Sequence, residues 1–454
     1  MLIRFIAKNI YSFKEETEFN LFPNKSQGLQ HHKVKSNGFD FLRFSALYGA
    51  NGSGKSNLIK AISFLATLVS EGRLLLPLEI EDLKFKLDDE NLKLPISLGI
   101  EFIANNKVYF YTITFDRDKI LYEYLAESHT KNDTLIFERI FDAETQKIEF
   151  YKDYYKTEKE KLFVEILSEK LIQKNELLIT FLSKKYPEDF ESLQTAFCWF
   201  NETLVIVYPN SKPGGLIHLL DKEMTDSDFS SKFIDFSNKF ISSLNAGISE
   251  IEVKKKELEE ILGDDEYQLK TKIIEDFRNN PDRRSTITHM ETGEEIALAY
   301  ENNKIIAKRI ITKHQNVLGE NIDFNLVHES DGTNRLIDYI LPFYVILNTN
   351  AVFIIDEIER SIHPMMIKEI VTKLALDENM KGQLIFSTHE SNLLDQNILR
   401  PDEIWFAQKD CDGSSKLYSL SDFKIHNTIS IENGYLKGRF GGIPFLGNLK
   451  DLNW

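Results

Sequence analysis

The sequence has almost no cysteine: two residues in 454, Cys198 and Cys411, far apart along the chain. A disulfide framework and a Cys-x-x-Cys metal knuckle are both excluded, which fits a reducing cytoplasm. Long apolar runs are missing as well. The opening Met1-Leu2-Ile3-Arg4-Phe5 meets Lys8 before reaching signal-peptide length. No stretch approaches the roughly 18 to 20 apolar residues of a membrane span, so neither export nor membrane anchoring is expected. A surplus of basic charge is also lacking. With 55 Lys and Arg against 71 Asp and Glu, the formal charge is −16, which speaks against wholesale binding to nucleic acid or anionic lipid and leaves only a local basic groove open.

What is present is a core. Hydrophobic residues make up 42% and aromatics 12%, enough to fill one large or two moderate domains. Ile3 to Phe13 reads as a strand, and Phe41 to Tyr48 is a second apolar run leading into a glycine-rich segment. From Asn57 to Val69, Leu58, Ile62, Leu65, Ala66 and Val69 recur at helical spacing. Alternation then marks strands at Ile96 to Phe102 and Val108 to Phe115, with Asn105-Asn106 as a hairpin turn. From about Thr157 to Glu260 the composition turns to Lys, Glu, Leu and Ile with few glycines, which predicts a mostly helical middle without sustained heptads. Within it, Ile251 to Leu262 reads as a solvated helix face, because Lys254, Lys255 and Lys256 are followed by Glu257, Glu259 and Glu260. Gly263-Asp264-Asp265 and Asn279-Asn280-Pro281 read as breaks. The expected organisation is residues 1–150, an N-terminal lobe with an antiparallel β part, residues 151–300, mainly helical, and residues 301–454, a second αβ lobe.

The strongest motif is Gly49-Ala50-Asn51-Gly52-Ser53-Gly54-Lys55-Ser56, a full match to the phosphate-loop pattern. Its glycines let successive N–H groups from Asn51 to Asn57 converge on a β-phosphate, and the following helix adds its positive end. Lys55 would reach the β- and γ-phosphates, and the Ser56 hydroxyl would ligate Mg²⁺. A glycine turn that merely contains Lys and Ser is the plain alternative, and the placement between strand and helix counts against it. Ala351 to Ile355 is an unbroken apolar strand ending in Asp356-Glu357. A central parallel strand presents carboxylates in this way. Asp356 would hold Mg²⁺ through its water shell, and Glu357 would orient or deprotonate the attacking water. A third strand, Gln383 to Phe386, leads into Ser387-Thr388-His389, where His389 would sense the γ-phosphate and steady that water. Ser330-Asp331-Gly332-Thr333 opens a helix whose stripe includes Leu336, Ile337, Ile340, Leu341 and Tyr344. Such a start either caps the helix or offers an anion site, with Ser330 and Gly332 as the contacts.

In these motifs and their order the sequence resembles the ABC-type, AAA-like ATPase heads of the SMC, RecF and OLD kind. It is similar more closely to stand-alone ATPases of bacterial anti-phage and abortive-infection operons. The closer likeness rests on Tyr48 to Ser56, Glu329 to Leu336, Asp356 to Pro364, Asp402 to Phe406 and Tyr435 to Phe445. It covers the first 130 or so residues and the last 140 or so.

The resemblance implies an α/β fold, a mainly parallel phosphate-loop core with an antiparallel β lobe and a helical insertion. It also implies ATP and Mg²⁺ as cofactors and a homodimer around two sandwiched nucleotides, with larger assemblies open. Ser330 and Gly332 would then meet the γ-phosphate held by the other subunit, and His363 would lie in a loop crossing the interface. Two features depart from the pattern. No glutamine can be placed as the Mg²⁺ ligand between the lobes, and Pro342 should kink the helix after Ser330. The roughly 65 residues after His389 are too few for a nuclease domain of ordinary size, so a separately encoded nuclease or toxin is the expected partner. The expected function is thus an ATP-hydrolysing regulatory subunit of such a defence system. The alternative is a DNA-maintenance clamp, which would favour a basic groove or a long coiled coil, and neither is visible. A scaffold that binds ATP without turnover is a third reading, against which Glu357 argues. The segment with Gly438, Gly441, Gly442 and Gly447 reads as a turn-rich closing piece, with Arg439 as a candidate for a phosphate or a partner.

Overall fold

Uninterrupted burial along a strand requires cover on both sheet faces, and Phe44–Tyr48, Val352–Ile355 and Gln383–Ser387 are buried at every position. In the computed structural model these three strands belong to one six-stranded sheet. The structure describes residues 1–142, 145–151, 154, 156–212, 216–221, 228–244, 247–261, 267–280, 285–288, 295–301, 304–423 and 430–443. The chain forms two compact units, one of Met1–Pro209, Ile346–Glu359 and Ile367–Trp454, the other of Asn210–Val345 and Arg360–Met366.

In the first unit the six-stranded sheet runs in the order Leu204–Val207, Val352–Ile355, Gln383–Ser387, Phe44–Tyr48, Ile404–Lys409 and Ser415–Ser419. The first five strands are parallel and the last is antiparallel. The helix Lys55–Glu71 buries Leu58, Ile59, Ile62, Leu65 and Val69, close to the stripe its spacing announced. A second sheet, antiparallel, has the order Thr145–Phe150, Thr134–Asp142, Lys119–Ser128, Lys107–Asp116, Ile96–Ala104, Leu2–Lys8 and Thr17–Asn20. Asn105 and Asn106 turn its central hairpin with φ of 47° and 60°, the left-handed pair that a two-residue turn demands. The first strand ends at Lys8 rather than Phe13. Asn9 and Tyr11 take φ of 55° and 51°, and Ile10 pairs with Phe13 across a tight turn. The α/β class expected from the sequence, a mainly parallel core with an antiparallel lobe, is the one observed.

The second unit corrects the helical reading of the middle. Residues Ile248–Glu257 form a strand, not a helix face, and only Leu258–Ile261 is helical. This strand pairs with Lys304–Gln315, which also pairs with Glu295–Glu301 and Asn321–Asn325. Ser285–Thr288 completes the sheet. The physical reason is period. Ile251 and Val253 alternate with Glu252 and Lys254, and both apolar residues join the cluster that holds Phe233 and Ile310. Lys254 meets Asp323 at 2.7 Å and Lys255 meets Asp221 at 3.1 Å, so tertiary pairing overrides the helix propensity of Lys and Glu. Helices remain in the middle third, among them Glu191–Cys198 and Asp228–Ser243. The breaks read at Gly263 to Asp265 and at Pro281 lie outside the described residues, as do Pro444, Phe445 and Gly447.

The helix after Ser330 is divided at Tyr339 into Asp331–Asp338 and Ile340–Asn348. Pro342 accounts for the division, since its ring opposes the carbonyl four residues earlier, that of Asp338. Among the described residues no helix is long and apolar enough to cross a membrane.

Candidate functional site

Three adjacent parallel strands end at the same edge of the six-stranded sheet, and each delivers one part of the site. Ligand sites of open α/β sheets sit beyond such carboxyl ends. Phe44–Tyr48 leads into the loop 49–54, where Gly52 and Gly54 take φ of 75° and 116°, values that L side chains rarely adopt. Gly49 is required by proximity, because a Cβ there would stand 2.5 Å from the Ala407 carbonyl oxygen and from Ser53 Oγ. Asn51 and Gly52 are exposed at the loop tip, whereas Ser53, Gly54 and Lys55 are buried.

Lys55 Nζ folds back onto its own loop, donating to Gly49 O at 2.7 Å and Ala50 O at 3.2 Å. Burial lowers its pKa from the ordinary lysine value, and the charges of Asp356, Glu359 and Glu357 oppose that shift. Ser56 Oγ donates to Asp356 Oδ1 at 3.2 Å. Ser387 Oγ donates to the same oxygen at 2.5 Å and accepts the Glu357 N–H at 2.8 Å. Asp356 is buried, 4% exposed, so these hydroxyls take the place that water would have at its Oδ1. Glu357 takes φ of 51°, a left-handed conformation that turns the chain sharply just after the strand.

His389 follows the third strand, and its backbone N–H donates to Glu359 Oε1 at 2.7 Å. Its side chain reaches solvent on one side. Burial of the remainder, with Lys55 nearby, nevertheless lowers its pKa below the ordinary histidine value, against the opposing pull of Glu359, Glu357 and Asp356. That shift favours the neutral ring over the charged one. Asn57 Nδ2 donates to Ser12 Oγ at 2.8 Å, and Ser415 Oγ donates to Ser53 O at 2.7 Å and shares a hydrogen bond with Ser12 Oγ at 2.8 Å. Ser12 and Ser415 thus brace the back of the loop, a role that sequence reasoning missed, as it missed that of Ser387. Tyr208 follows the strand Leu204–Val207, next to the strand that ends in Asp356; burial raises its pKa, and the charge of Asp356 adds to the rise.

The second unit holds the other expected contacts. Ser330 caps Asp331–Asp338, its Oγ accepting the Thr333 N–H at 3.1 Å, so the plain capping alternative describes the geometry here. A Cβ on Gly332 would stand 2.5 Å from Ser361 O, so only glycine lets the helix start approach the loop after the acidic strand. His363 caps the helix Pro364–Ala375, its Nδ1 accepting from Met365 N at 3.2 Å.

The donor set can be tested against Mg²⁺ and a nucleotide. Among the described residues no three His, Cys, Asp or Glu side chains are grouped to hold a metal alone. One hydroxyl and one carboxylate, Ser56 and Asp356, suit a Mg²⁺ that takes its other oxygens from phosphates and water. Two buried oxygens at the site, Ser53 Oγ and Glu359 Oε2, have no hydrogen-bond partner among the described residues. The residues fit both groups.

Comparison with known proteins gives a family. The family model described as "AAA domain, putative AbiEii toxin, Type IV TA system" matches residues 44–395. No curated protein matches the chain. Three solved structures are similar at 14% identity. An SMC head bound to the C-terminal winged-helix domain of ScpA gives a TM-score of 0.40, covering 96% of this chain and 99% of that one. The SMC head domain from Thermotoga maritima gives 0.40, over 93% and 99%. An Smc head domain with an extended coiled coil, bound to the C-terminal domain of ScpA derived from Pyrococcus furiosus, gives 0.38 over 96% and 98%.

Proposed function

Because the chain belongs to the AAA-domain family described as putative AbiEii toxin, Type IV TA system, we propose that it binds and hydrolyses ATP as a dimer and thereby controls a separate effector. The observation that carries this reading is the convergence of the Ser56 and Ser387 hydroxyls on Asp356, with Ser387 also holding the Glu357 N–H, at strand ends neighbouring the loop that leads into Lys55.

In this reading the N–H groups from Asn51 to Asn57 cradle the β-phosphate, and Lys55 leaves the loop carbonyls for the β- and γ-phosphate oxygens. Transfer from two neutral acceptors to an anion is favourable for a buried ammonium. Ser56 and Asp356 would hold Mg²⁺, which when bound neutralises charge between the β- and γ-phosphates. Glu357 accepts a proton from water as the water oxygen bonds to the γ-phosphorus. The bond to the bridging oxygen breaks, and ADP leaves with that electron pair. Neutral His389 donates or accepts one hydrogen bond to hold the water in line. Ser330 and Gly332 of a second copy would cap the γ-phosphate, giving up the Thr333 contact of the Ser330 hydroxyl. Hydrolysis removes the shared group and loosens the pair.

The family's description supports a role in toxin–antitoxin or abortive-infection biology, and the controlled partner in our reading is a separately encoded nuclease or toxin. The formal charge of −16 weighs against a DNA clamp. Replacement of Glu357 by Gln tests the chemistry. Steady-state phosphate release should fall by roughly 10²- to 10⁴-fold, the usual value of a general base, while ATP binding is retained. An unchanged rate would remove Glu357 from the mechanism.

A further inference from the structure

The stretch around Gly438, Gly441 and Gly442, read from the sequence as a closing turn, is packed against the phosphate loop. Tyr435 and Phe440 stack on Phe406, with ring centroids 5.6 Å and 6.2 Å away, and Tyr435 meets Tyr48 edge-on at 5.7 Å. Tyr48 is the residue before Gly49. Tyr418 Oη donates to Phe440 O at 2.8 Å, and Tyr435 Oη donates to Gly442 O at 3.2 Å, so the backbone of the stretch is tied down at two places. Close approach follows. A Cβ on Gly442 would stand 3.3 Å from Phe406 Cδ1 and 3.7 Å from Gly49 Cα, and one on Gly441 would stand 2.7 Å from Gln408 Oε1. Both glycines also take left-handed φ, 69° at Gly441 and 67° at Gly442, so side chains are excluded twice over.

We infer that Tyr435 to Gly442 is a positioning element for nucleotide. It holds Gly49 against the carbonyl of Ala407, and the Gly49 carbonyl is the acceptor that Lys55 must release to reach a phosphate. A loop that loses this internal bond keeps its curvature only if something outside it fixes the first glycine, and the packed stretch is that support. Nucleotide binding and docking of the stretch are then linked, each strengthening the other by the same factor. The inference rests on the reading of residues 49–56 as a nucleotide site. Tyr435, Phe440 and Gly442 act through the loop and touch no substrate.

The test uses the full-length protein with a fluorescent ATP analogue and Mg²⁺. Gly442→Val, which drives a branched side chain at Phe406 and Gly49, should raise the Kd at least about 10-fold, with turnover at saturating ATP within about 2-fold. Leu162→Ala, at an exposed position of the helix Glu158–Ile166, serves as control and should bind as the parent does. Amide hydrogen exchange of the unaltered protein supplies a readout that needs no variant to fold: Mg²⁺-ATP should slow exchange within residues 434–443 by at least about 3-fold. If the unaltered protein binds nucleotide, and neither the Gly442→Val affinity nor the exchange of 434–443 responds, this inference is overturned and the nucleotide site stands. If the unaltered protein binds no nucleotide, both fall.

Discussion

Asp356 gathers the site because two hydroxyls aim at one of its oxygens, and one of them, Ser387, also holds the backbone of the next residue. Removing the Ser387 hydroxyl leaves a buried carboxylate short of one donor and frees the Glu357 N–H. We expect Ser387→Ala to lower ATP turnover by roughly 10- to 100-fold, the scale of one lost charge-assisted hydrogen bond of about 1.5–3 kcal/mol. Steady-state kinetics would show it in kcat more than in KM; a variant as fast as the parent removes Ser387 from the site. At this scale the gathering of Lys55, Ser56 and the pair Asp356-Glu357 at neighbouring strand ends was legible, because the motifs fix both residue type and spacing. It was silent on Ser387, Ser12 and Ser415. Their partners lie far off in sequence, 403 positions apart for Ser12 and Ser415, and a lone serine carries no local pattern.

At the scale of elements, the parallel strands Phe44–Tyr48, Val352–Ile355 and Gln383–Ser387 were readable as continuous apolar runs, since burial on both faces leaves no room for alternation, whereas Leu204–Val207 fell within the stretch read as mostly helical. The strand Ile248–Glu257 was not, because its outward charges imitate a solvated helix until the pairing with Lys304–Gln315 is known. The helix Asp331–Asp338 shows what such an element can carry at its end. Burial raises the pKa of Asp338 to about 6, more than Arg335 and Lys212 lower it. The folded state therefore holds the proton more tightly than the unfolded chain. The sign follows: stability is lost as pH rises from the unfolded pKa of 3.8 through about 6, and the loss is complete above that. Asp338→Asn removes the charge and should raise stability at pH 8 by about 1–2 kcal/mol, with a smaller gain at pH 5. Thermal melts at the two pH values check this. An equal or larger gain at pH 5 would contradict the burial of a charged carboxylate there.

For the whole molecule, the phosphate loop and acidic pair belong to one compact unit, while Ser330 and Gly332 belong to the other. That the helix start of one copy meets the nucleotide of the other is what the resemblance implies and what we propose. Mixing separates the cases. Lys55→Ala and Ser330→Arg should each abolish hydrolysis alone, yet their mixture should recover activity, because a heterodimer holds one site with both parts intact. A mixture as inactive as its components would place Ser330 and Lys55 of the same chain on one nucleotide and contradict a site shared between copies.

The most direct measurement is the mass of Glu357→Gln in solution, by light scattering, with and without Mg²⁺-ATP. Dimerisation around trapped nucleotide should move the particle from 52.7 kDa without nucleotide to twice that value with it, and Lys55→Ala in the same background should abolish the change. A mass that stays the same while ATP is demonstrably bound would contradict a nucleotide shared between two chains.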